Sequence, residues 1–256
     1  MNHRTKFAIQ DAWQASAPVA RKFLRFVRKP SVSIGSEDQL PSSKPVIGIV
    51  LFALSLVISA AFAIAALPLM LFVEAEPGSQ LQKVSAQSIP SVVLAVVILG
   101  PLIEEIMFRG WLSGTWRAVI ASALFLALVF GIAPLIDKHL SVSAAIIQLG
   151  LVIIGSAGFA LLAPIDTGRR LPRFERLFPY IFWAQGIVFG ALHFQNVSAS
   201  SPMVAGLATL PLVICGWIWG FARINLGLSG AVLLHAAYNV PAAAALVAFS
   251  LLQNGW

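Results

Sequence analysis

Long apolar stretches recur along the chain from about Val46 onward. Seven of them are close to the ~20 residues that a helix needs to cross a bilayer. They lie at 46–73, 90–112, 116–136, 142–165, 178–195, 203–222 and 229–252. Because they lack the strict alternation of a membrane β-strand, we interpret them as helices. The pattern predicts an all-α fold, a polytopic transmembrane helix bundle with about seven spans.

The N-terminal part has a different pattern. Its apolar positions share one helix face, and its basic positions share the opposite arc. The apolar set is Val19, Phe23, Phe26 and Val27, and the basic set is Arg21, Lys22, Arg25, Arg28 and Lys29. This is typical of an amphipathic helix at a membrane surface. Residues 31–45 have linker composition, so we predict a basic head at 1–45 and a transmembrane domain at 46–252.

Composition supports a membrane protein. Hydrophobic residues make up 59% and charged residues 11% of the chain, against about 25% charged in soluble domains. The net charge of +7 is concentrated in the head and in the 166–177 loop, beside apolar segments. We therefore expect anionic lipid, and no nucleic acid, as the partner of these basic regions.

The distribution of Lys and Arg also predicts an orientation. If seven helices alternate, the head, Arg117, the 166–177 loop and Arg223 fall on one side, and only Lys83 and Lys138 fall on the other. The positive-inside rule then places the N-terminus in the cytoplasm.

The first apolar run exceeds the 7–15 residues of a signal-peptide core, so it is expected to remain as a span. The single cysteine, Cys215, excludes an internal disulfide and is expected to pack in the core.

The second apolar stretch carries three ionisable residues, Glu104, Glu105 and Arg109. Each costs about 2.5–3.5 kcal/mol at the centre of a membrane helix, which indicates a function. Glu105 and Arg109 are four residues apart and can pair on one helix face. Glu104 has no such partner and is the first candidate for a general base. The alternative is that the acidic pair marks the end of a shorter helix at the headgroups.

Two histidines lie in later spans. His193 ends Phe189-Gly190-Ala191-Leu192-His193, and His235 begins His235-Ala236-Ala237-Tyr238-Asn239. His235 and Asn239 share a helix face, so they can act on one atom or hydrogen-bond to each other. A lone apolar-helix histidine is usually a packing residue, but two of them beside a buried glutamate pair indicate a shared polar site.

A zinc site is a second interpretation of these residues. Two histidines and a glutamate are typical ligands of catalytic zinc, which keeps a fourth position for water. Glu104, His193 and His235 would then be the metal ligands. The local His-Glu-x-x-His spacing of a zinc helix is absent from the chain, which favours the hydrolytic site without metal. The cofactor stays open between none and zinc.

Three motifs in order carry a resemblance: Glu-Glu-x-x-x-Arg at 104–109, Phe-x-x-x-His at 189–193 and His-x-x-x-Asn at 235–239, with Gly216-x-x-x-Gly220 before the last. Together they resemble the CPBP family of CAAX prenyl proteases and bacteriocin-processing or self-immunity membrane proteins, also called Abi. The resemblance covers about 90–112 and 178–245. Gly186 and Gly190, with Gly216 and Gly220, indicate close helix packing.

The resemblance implies an intramembrane endopeptidase in a prokaryotic cytoplasmic membrane. Its substrate would be a membrane-associated peptide or protein, with prenylation as one form of lipid modification. Glu104 and His193 would activate the attacking water, and His235 and Asn239 would stabilise the oxyanion. Glu105 and Arg109 would shape the site. For this family, peptide hydrolysis has been described both as metal-dependent and as glutamate-dependent without a bound metal.

Motif spacing raises two structural expectations. The stretch from Arg109 to His193 is longer than the family's usual connection and has room for two added spans, at 116–165. With simple helix boundaries, His193 lies about nine residues, or ~13 Å, deeper than Glu104. We therefore predict a distorted fifth helix, and a Glu104–His193 separation above about 10 Å would contradict the shared site.

Two other classes of function are compatible with the sequence. A catalytically inactive membrane scaffold or chaperone would keep the motif residues for packing, and Glu104→Gln would then retain full cellular function. A proton-coupled transporter would use buried Glu and His as relay groups. The chain shows no paired half-helix repeat of the kind many transporters have.

Overall fold

The computed structural model describes residues 3–32, 43–70, 75–77, 88–132, 141–162, 169–199 and 202–254. The helices are α1 His3–Arg28, α2 Lys44–Met70, α3 Ile89–Val93, α4 Gly100–Arg109, α5 Trp116–Leu126, α6 Ser141–Leu162, α7 Phe174–Leu192 and α8 Pro202–Asn254. π-helical segments Leu94–Leu99 and Ala127–Ile132 follow α3 and α5, and 3₁₀ turns Gly110–Ser113 and His193–Asn196 follow α4 and α7. Strands β1 Ala75–Pro77 and β2 Val197–Ala199 pair antiparallel, with Glu76 opposite Ser198.

The predicted all-α class is confirmed. Three helical stretches in the described residues are long and apolar enough to cross a membrane, Lys44–Pro68, Ile89–Ser113 and Ala205–Ala248. The shorter apolar helices Trp116–Gly131 and Leu149–Leu161 lie in two further predicted spans. The count of seven spans and the orientation stay predictions. Lys83, Lys138 and residues 166–168, on which the orientation partly depends, lie outside the described residues.

Helix α8 is a hairpin of two legs. The ring of Trp219 stacks on the ring of His235 with centroids 3.9 Å apart, whereas 16 residues of straight helix would separate them by ~24 Å. The reversal occurs at Gly227, whose φ of 85° and ψ of 176° are non-helical. This backbone region is essentially restricted to glycine. Gly227 therefore brings the two legs of α8 together.

The amphipathic helix α1 packs against the bundle. Val19 and Phe23 are buried in one core with Ile47 and Leu51 of α2, and Trp183 of α7 donates a hydrogen bond of 2.8 Å to the Val27 carbonyl. The apolar face that the sequence assigns to the membrane surface is thus covered by protein. Most of the basic arc still faces outward, since Arg21, Arg25, Arg28 and Lys29 are exposed, whereas Lys22 is partly buried. Residues 33–42 of the predicted linker lie outside the described residues.

Glycines allow α7 and α8 to approach closely. A Cβ at Gly186 would lie 2.3 Å from the Trp217 ring, and a Cβ at Gly190 would lie 2.9 Å from the backbone nitrogen of Val213. A Cβ at Gly216 would lie 3.0 Å from the Gly186 Cα. The close packing predicted from these small residues is confirmed. It lets side chains from α7 reach the first leg of α8.

We expect Gly227→Ala to destabilise the protein by about 1–3 kcal/mol, because alanine is strained at this φ and ψ. Gly158→Ala is the matched control, since Gly158 lies within a helix and a Cβ there would have no atom within 4 Å. Thermal unfolding of both variants in detergent measures the difference. Equal midpoints for the two variants would contradict the role given to Gly227.

Candidate active site

A fully buried carboxylate, Glu105, lies at the centre of the site. Its Oε1 accepts hydrogen bonds from Arg109 Nη1 and from His235 Nδ1, the latter at 2.9 Å. The side chains of Glu105 and Arg109 are 0% exposed and that of His235 is 2% exposed. The predicted pairing of Glu105 with Arg109 is confirmed. The same carboxylate joins α4 to the second leg of α8.

Glu104 lies next to this cluster and faces both histidines. Its Oε2 is 3.8 Å from His193 Nε2 and 3.7 Å from His235 Nε2. Within the described part of the chain, this buried oxygen has no hydrogen-bond partner. Separations above 3.5 Å are too long for direct hydrogen bonds and suit a bridging water. Glu104, His193 and His235 therefore meet in one place, from three separate helices.

The hydrogen-bond partners define which ring nitrogen of each histidine carries a proton. His193 Nδ1 lies 2.8 Å from the Phe189 carbonyl oxygen, and a carbonyl can only accept. His235 Nδ1 faces the same Glu105 oxygen that accepts from Arg109. In both rings Nδ1 is therefore the donor, and Nε2 faces Glu104. A neutral ring then presents a lone pair at Nε2.

Aromatic rings enclose the charged groups. The Phe189 ring lies 4.5 Å from the His193 ring and has the Arg109 guanidinium 4.8 Å from its centroid. Trp219 stacks on His235 and lies 5.5 Å from the same guanidinium. Aromatic faces attract cations. These two rings both fix the side chains and keep water from the Glu105–Arg109 pair.

Asn239 does not bond to His235. Its Nδ2 donates instead to the Val96 carbonyl at 2.9 Å, within the π-helical segment Leu94–Leu99. In this segment the Gly100 N–H donates to the carbonyl of Ala95, five residues earlier. In the same pattern, the donor to the Val96 carbonyl would be the backbone nitrogen of Pro101. Proline has no N–H. Asn239 thus supplies the donor that Pro101 lacks and ties the second leg of α8 to the stretch before Glu104.

Gln185, whose role the sequence analysis missed, supports the buried pair. Gln185 Nε2 and Arg109 Nη2 both donate to the Gly216 carbonyl, each at 3.2 Å. Gln185, Phe189 and His193 are spaced by four residues, so they share one face of a helix. That spacing, with a polar residue in an apolar stretch, is the signal that could have found Gln185. Trp219 also received no role from the sequence, and the only feature that points to it is its position between Gly216 and Gly220.

The predicted depth mismatch between Glu104 and His193 is resolved by the end of α7. The helix begins at Phe174, ends at Leu192, and leaves His193 as the first residue of a 3₁₀ turn. Helix α7 therefore begins and ends earlier than the stretch 178–195 that the sequence predicts as the fifth span. The 3.8 Å between Glu104 and His193 is far below the 10 Å that would contradict a shared site.

The side chains of Glu104, His193 and His235 are of the types that bind zinc, but their positions are less suitable for a bound ion. Two imidazole Nε2 atoms and one carboxylate oxygen converge, and each histidine has a second hydrogen bond of the kind that supports a metal ligand. Among the described residues, however, no group of three or more His, Cys, Asp or Glu has a geometry that could hold a metal ion. The present arrangement of these donors does not fit a bound zinc.

A helical bundle in which two carboxylates and two histidines meet in an apolar interior has the residue types of a candidate hydrolytic site. The family described as Type II CAAX prenyl endopeptidase Rce1-like matches residues 86–165 and 167–241. The match covers more than half of the chain, which belongs to this family of membrane proteases. No curated protein and no solved structure gives a significant match.

The matched residues add two facts to the motif comparison. They include 116–165, the stretch that motif spacing indicated as an addition, so the family match extends over it. They begin at residue 86, so α1 and α2 lie outside the match, as the sequence predicts. All seven residues that define the three motifs, from Glu104 to Asn239, fall inside the matched ranges.

We expect Glu105→Leu to destabilise the protein by about 3–5 kcal/mol, because it leaves the Arg109 guanidinium buried without its partner. Glu175→Leu removes an ion pair whose side chains are 30% and 63% exposed, worth about 0–1 kcal/mol, and is the control. The double variant Glu105→Leu with Arg109→Met is expected to recover part of the loss. Thermal unfolding in detergent measures all three. A double variant less stable than Glu105→Leu alone would contradict the argument.

Proposed function

We propose that the protein is an intramembrane endopeptidase that hydrolyses a peptide bond in a membrane-associated or lipid-modified substrate. The observation that carries the proposal is the meeting of Glu104 Oε2 with His193 Nε2 and His235 Nε2 at 3.8 and 3.7 Å. Membership in a protease family supports the class of reaction. The roles of individual residues and the substrate class are proposed here.

Glu104 and His193 activate water. Glu104 is an acceptor without a hydrogen-bond partner in the described residues, and His193 Nε2 faces it because Nδ1 is held by the Phe189 carbonyl. A water bonded to both is oriented by two acceptors and loses a proton to the carboxylate. Its oxygen forms the bond to the scissile carbonyl carbon. When the C–N bond breaks, the protonated Glu104 returns the proton to the leaving amine.

His235 and Asn239 stabilise the oxyanion that forms on the carbonyl oxygen. Because His235 Nδ1–H is held by Glu105, His235 donates to the oxyanion from Nε2 as an imidazolium. The Asn239 amide has two N–H groups and uses one of them on Val96. The second is available to the oxyanion. Donors held before reaction begins are the most effective form of such stabilisation.

Glu105 and Arg109 position the catalytic groups. Glu105 orients His235, and Arg109 fixes Glu105 while bonding the Gly216 carbonyl on the first leg of α8. They do not face the proposed water directly. Their loss would disturb the site through His235 and through the fold.

The membrane setting is inferred from hydropathy and from the distribution of Lys and Arg along the chain. We infer about seven spans with a cytoplasmic N-terminus, in a prokaryotic cytoplasmic membrane. The exposed basic arc of α1 and the basic loop before α7 contact anionic lipid. The substrate is a peptide or protein at the membrane, and prenylated peptides are one class to test.

The test is cleavage of a panel of membrane-tethered and prenylated peptides by the purified protein. Glu104→Gln and His193→Ala are expected to reduce the rate by about 10²–10⁴-fold, the usual contribution of a general base. Glu175→Gln, an exposed glutamate on α7, is the control and is expected to retain the wild-type rate. Equal rates in wild type and both site variants would favour the scaffold class over the enzyme.

Repeating the cleavage assay on the same peptide panel with a chelator tests whether the reaction depends on a metal. Water activation by Glu104 and His193 alone predicts no change of rate with a chelator. Loss of cleavage, with recovery on adding zinc, would instead assign Glu104, His193 and His235 as metal ligands. Substrate-independent proton flux in liposomes, with no cleavage of any peptide, would favour the transporter class.

We expect Asn239→Ala to reduce kcat by about 10²–10³-fold with a smaller effect on KM, as for loss of one oxyanion donor. The same change leaves the Val96 carbonyl without its donor, so the midpoint of thermal unfolding should also fall. Thr209→Ala on the same helix loses a hydroxyl that bonds only local carbonyls and is the control. Unchanged kcat for Asn239→Ala would exclude the oxyanion role.

A further inference from the structure

A groove lies between α2 and the second leg of α8, away from the catalytic groups. It has a volume of about 510 Å³ and is lined by Lys44, Pro45, Gly48, Ile49, Phe52, Leu226, Ser229, Gly230, Leu233, Leu234 and Ala237. None of the seven motif residues lines it. Its α2 wall lies outside the family match, which begins at residue 86. The groove is therefore built by an element that the family match does not include.

The lining has the chemistry of a lipid site. Among the described residues that line it, Lys44 and Ser229 are the only ones with polar side chains, and none is acidic. Ile49 is 47% and Leu233 is 70% exposed. A surface of this kind binds alkyl chains through apolar contact and offers little to a peptide backbone, which would need hydrogen-bond partners.

The polar and apolar ends of the groove are separated along helix α2. Lys44 begins the span Lys44–Pro68, and Phe52 lies eight residues further, or ~12 Å at the helical rise. On the other wall, Leu226 lies beside the reversal at Gly227 and contacts α2 midway between Lys44 and Phe52, because a Cβ at Gly48 would be 3.9 Å from Leu226 Cδ1. Ala237 lies beyond the reversal, on the second leg of α8. A cation at the start of a span and an apolar trough below it match a phosphate headgroup and its acyl chain.

We propose that this groove binds one anionic glycerophospholipid, with the phosphate at Lys44 and an acyl chain against Ile49, Phe52 and Leu233. The exposed Lys44 ammonium attracts the phosphate, and the Ser229 hydroxyl is the second polar group at the groove. The bound chain contacts both walls, so it holds α2 against the leg that carries His235. This site is separate from the basic arc of α1 and the loop before α7.

The test is native mass spectrometry of the purified full-length protein with phosphatidylglycerol and phosphatidylcholine of identical acyl chains. Wild type is expected to retain one phosphatidylglycerol with about fivefold preference, the effect of one lysine near an anionic headgroup. Lys44→Gln should remove that preference. Arg117→Gln, an exposed cation at the start of α5, is the matched control and should keep it.

A groove-filling variant tests the apolar part. Leu233→Trp should lower retention of both lipids at least about fivefold, whereas Leu161→Trp, which changes an 81% exposed leucine on α6, should not. Equal retention of the two lipids by wild type, or equal loss in Arg117→Gln and Lys44→Gln, would overturn the proposal. So would a dimer mass that Leu233→Trp abolishes, because the groove would then bind a second copy of the chain. The readout is binding, so it is independent of the proposed peptidase activity.

Discussion

The site depends on one buried carboxylate. Glu105 is 0% exposed and accepts hydrogen bonds from both Arg109 and His235. A charge in an apolar interior is tolerated only when it is paired and hydrogen-bonded. The pairing fixes the helix that also carries Glu104 against the leg that carries His235. Since the proton on His235 Nδ1 is held by the same oxygen, Glu105 also determines which nitrogen of His235 faces Glu104.

The distortions of the helices serve this arrangement. The reversal at Gly227 brings His235 back beside Trp219, and the end of α7 at Leu192 leaves His193 in a 3₁₀ turn. The π-helical segment before α4 leaves the Val96 carbonyl for Asn239, because Pro101 has no N–H. Regular helices through the same residues would separate these groups. Each of these three irregularities positions one of the catalytic candidates His235, His193 and Asn239.

Much of this could be predicted from the sequence. Hydropathy gives the helices, and i,i+4 spacing gives the Glu105–Arg109 pair, because both are local properties of one helix. Other features depend on contacts between helices distant in sequence. The covering of the α1 apolar face by α2 and α7, the bond from Asn239 to Val96 and the shared Gly216 carbonyl are of this kind. From spacing alone, Asn239 is expected to pair with His235 on its own helix. The three-dimensional packing shows that it bonds instead to the Val96 carbonyl, which lies in a different helical segment.

The most direct test of the central claim is cleavage in H₂¹⁸O by the protein in liposomes, with the product fragments weighed by mass spectrometry. The account predicts one ¹⁸O atom in the new carboxylate of the N-terminal fragment, formed at a rate that Glu104→Gln reduces by about 10²–10⁴-fold. Labelled product formed by Glu104→Gln at the wild-type rate would contradict water activation by this residue.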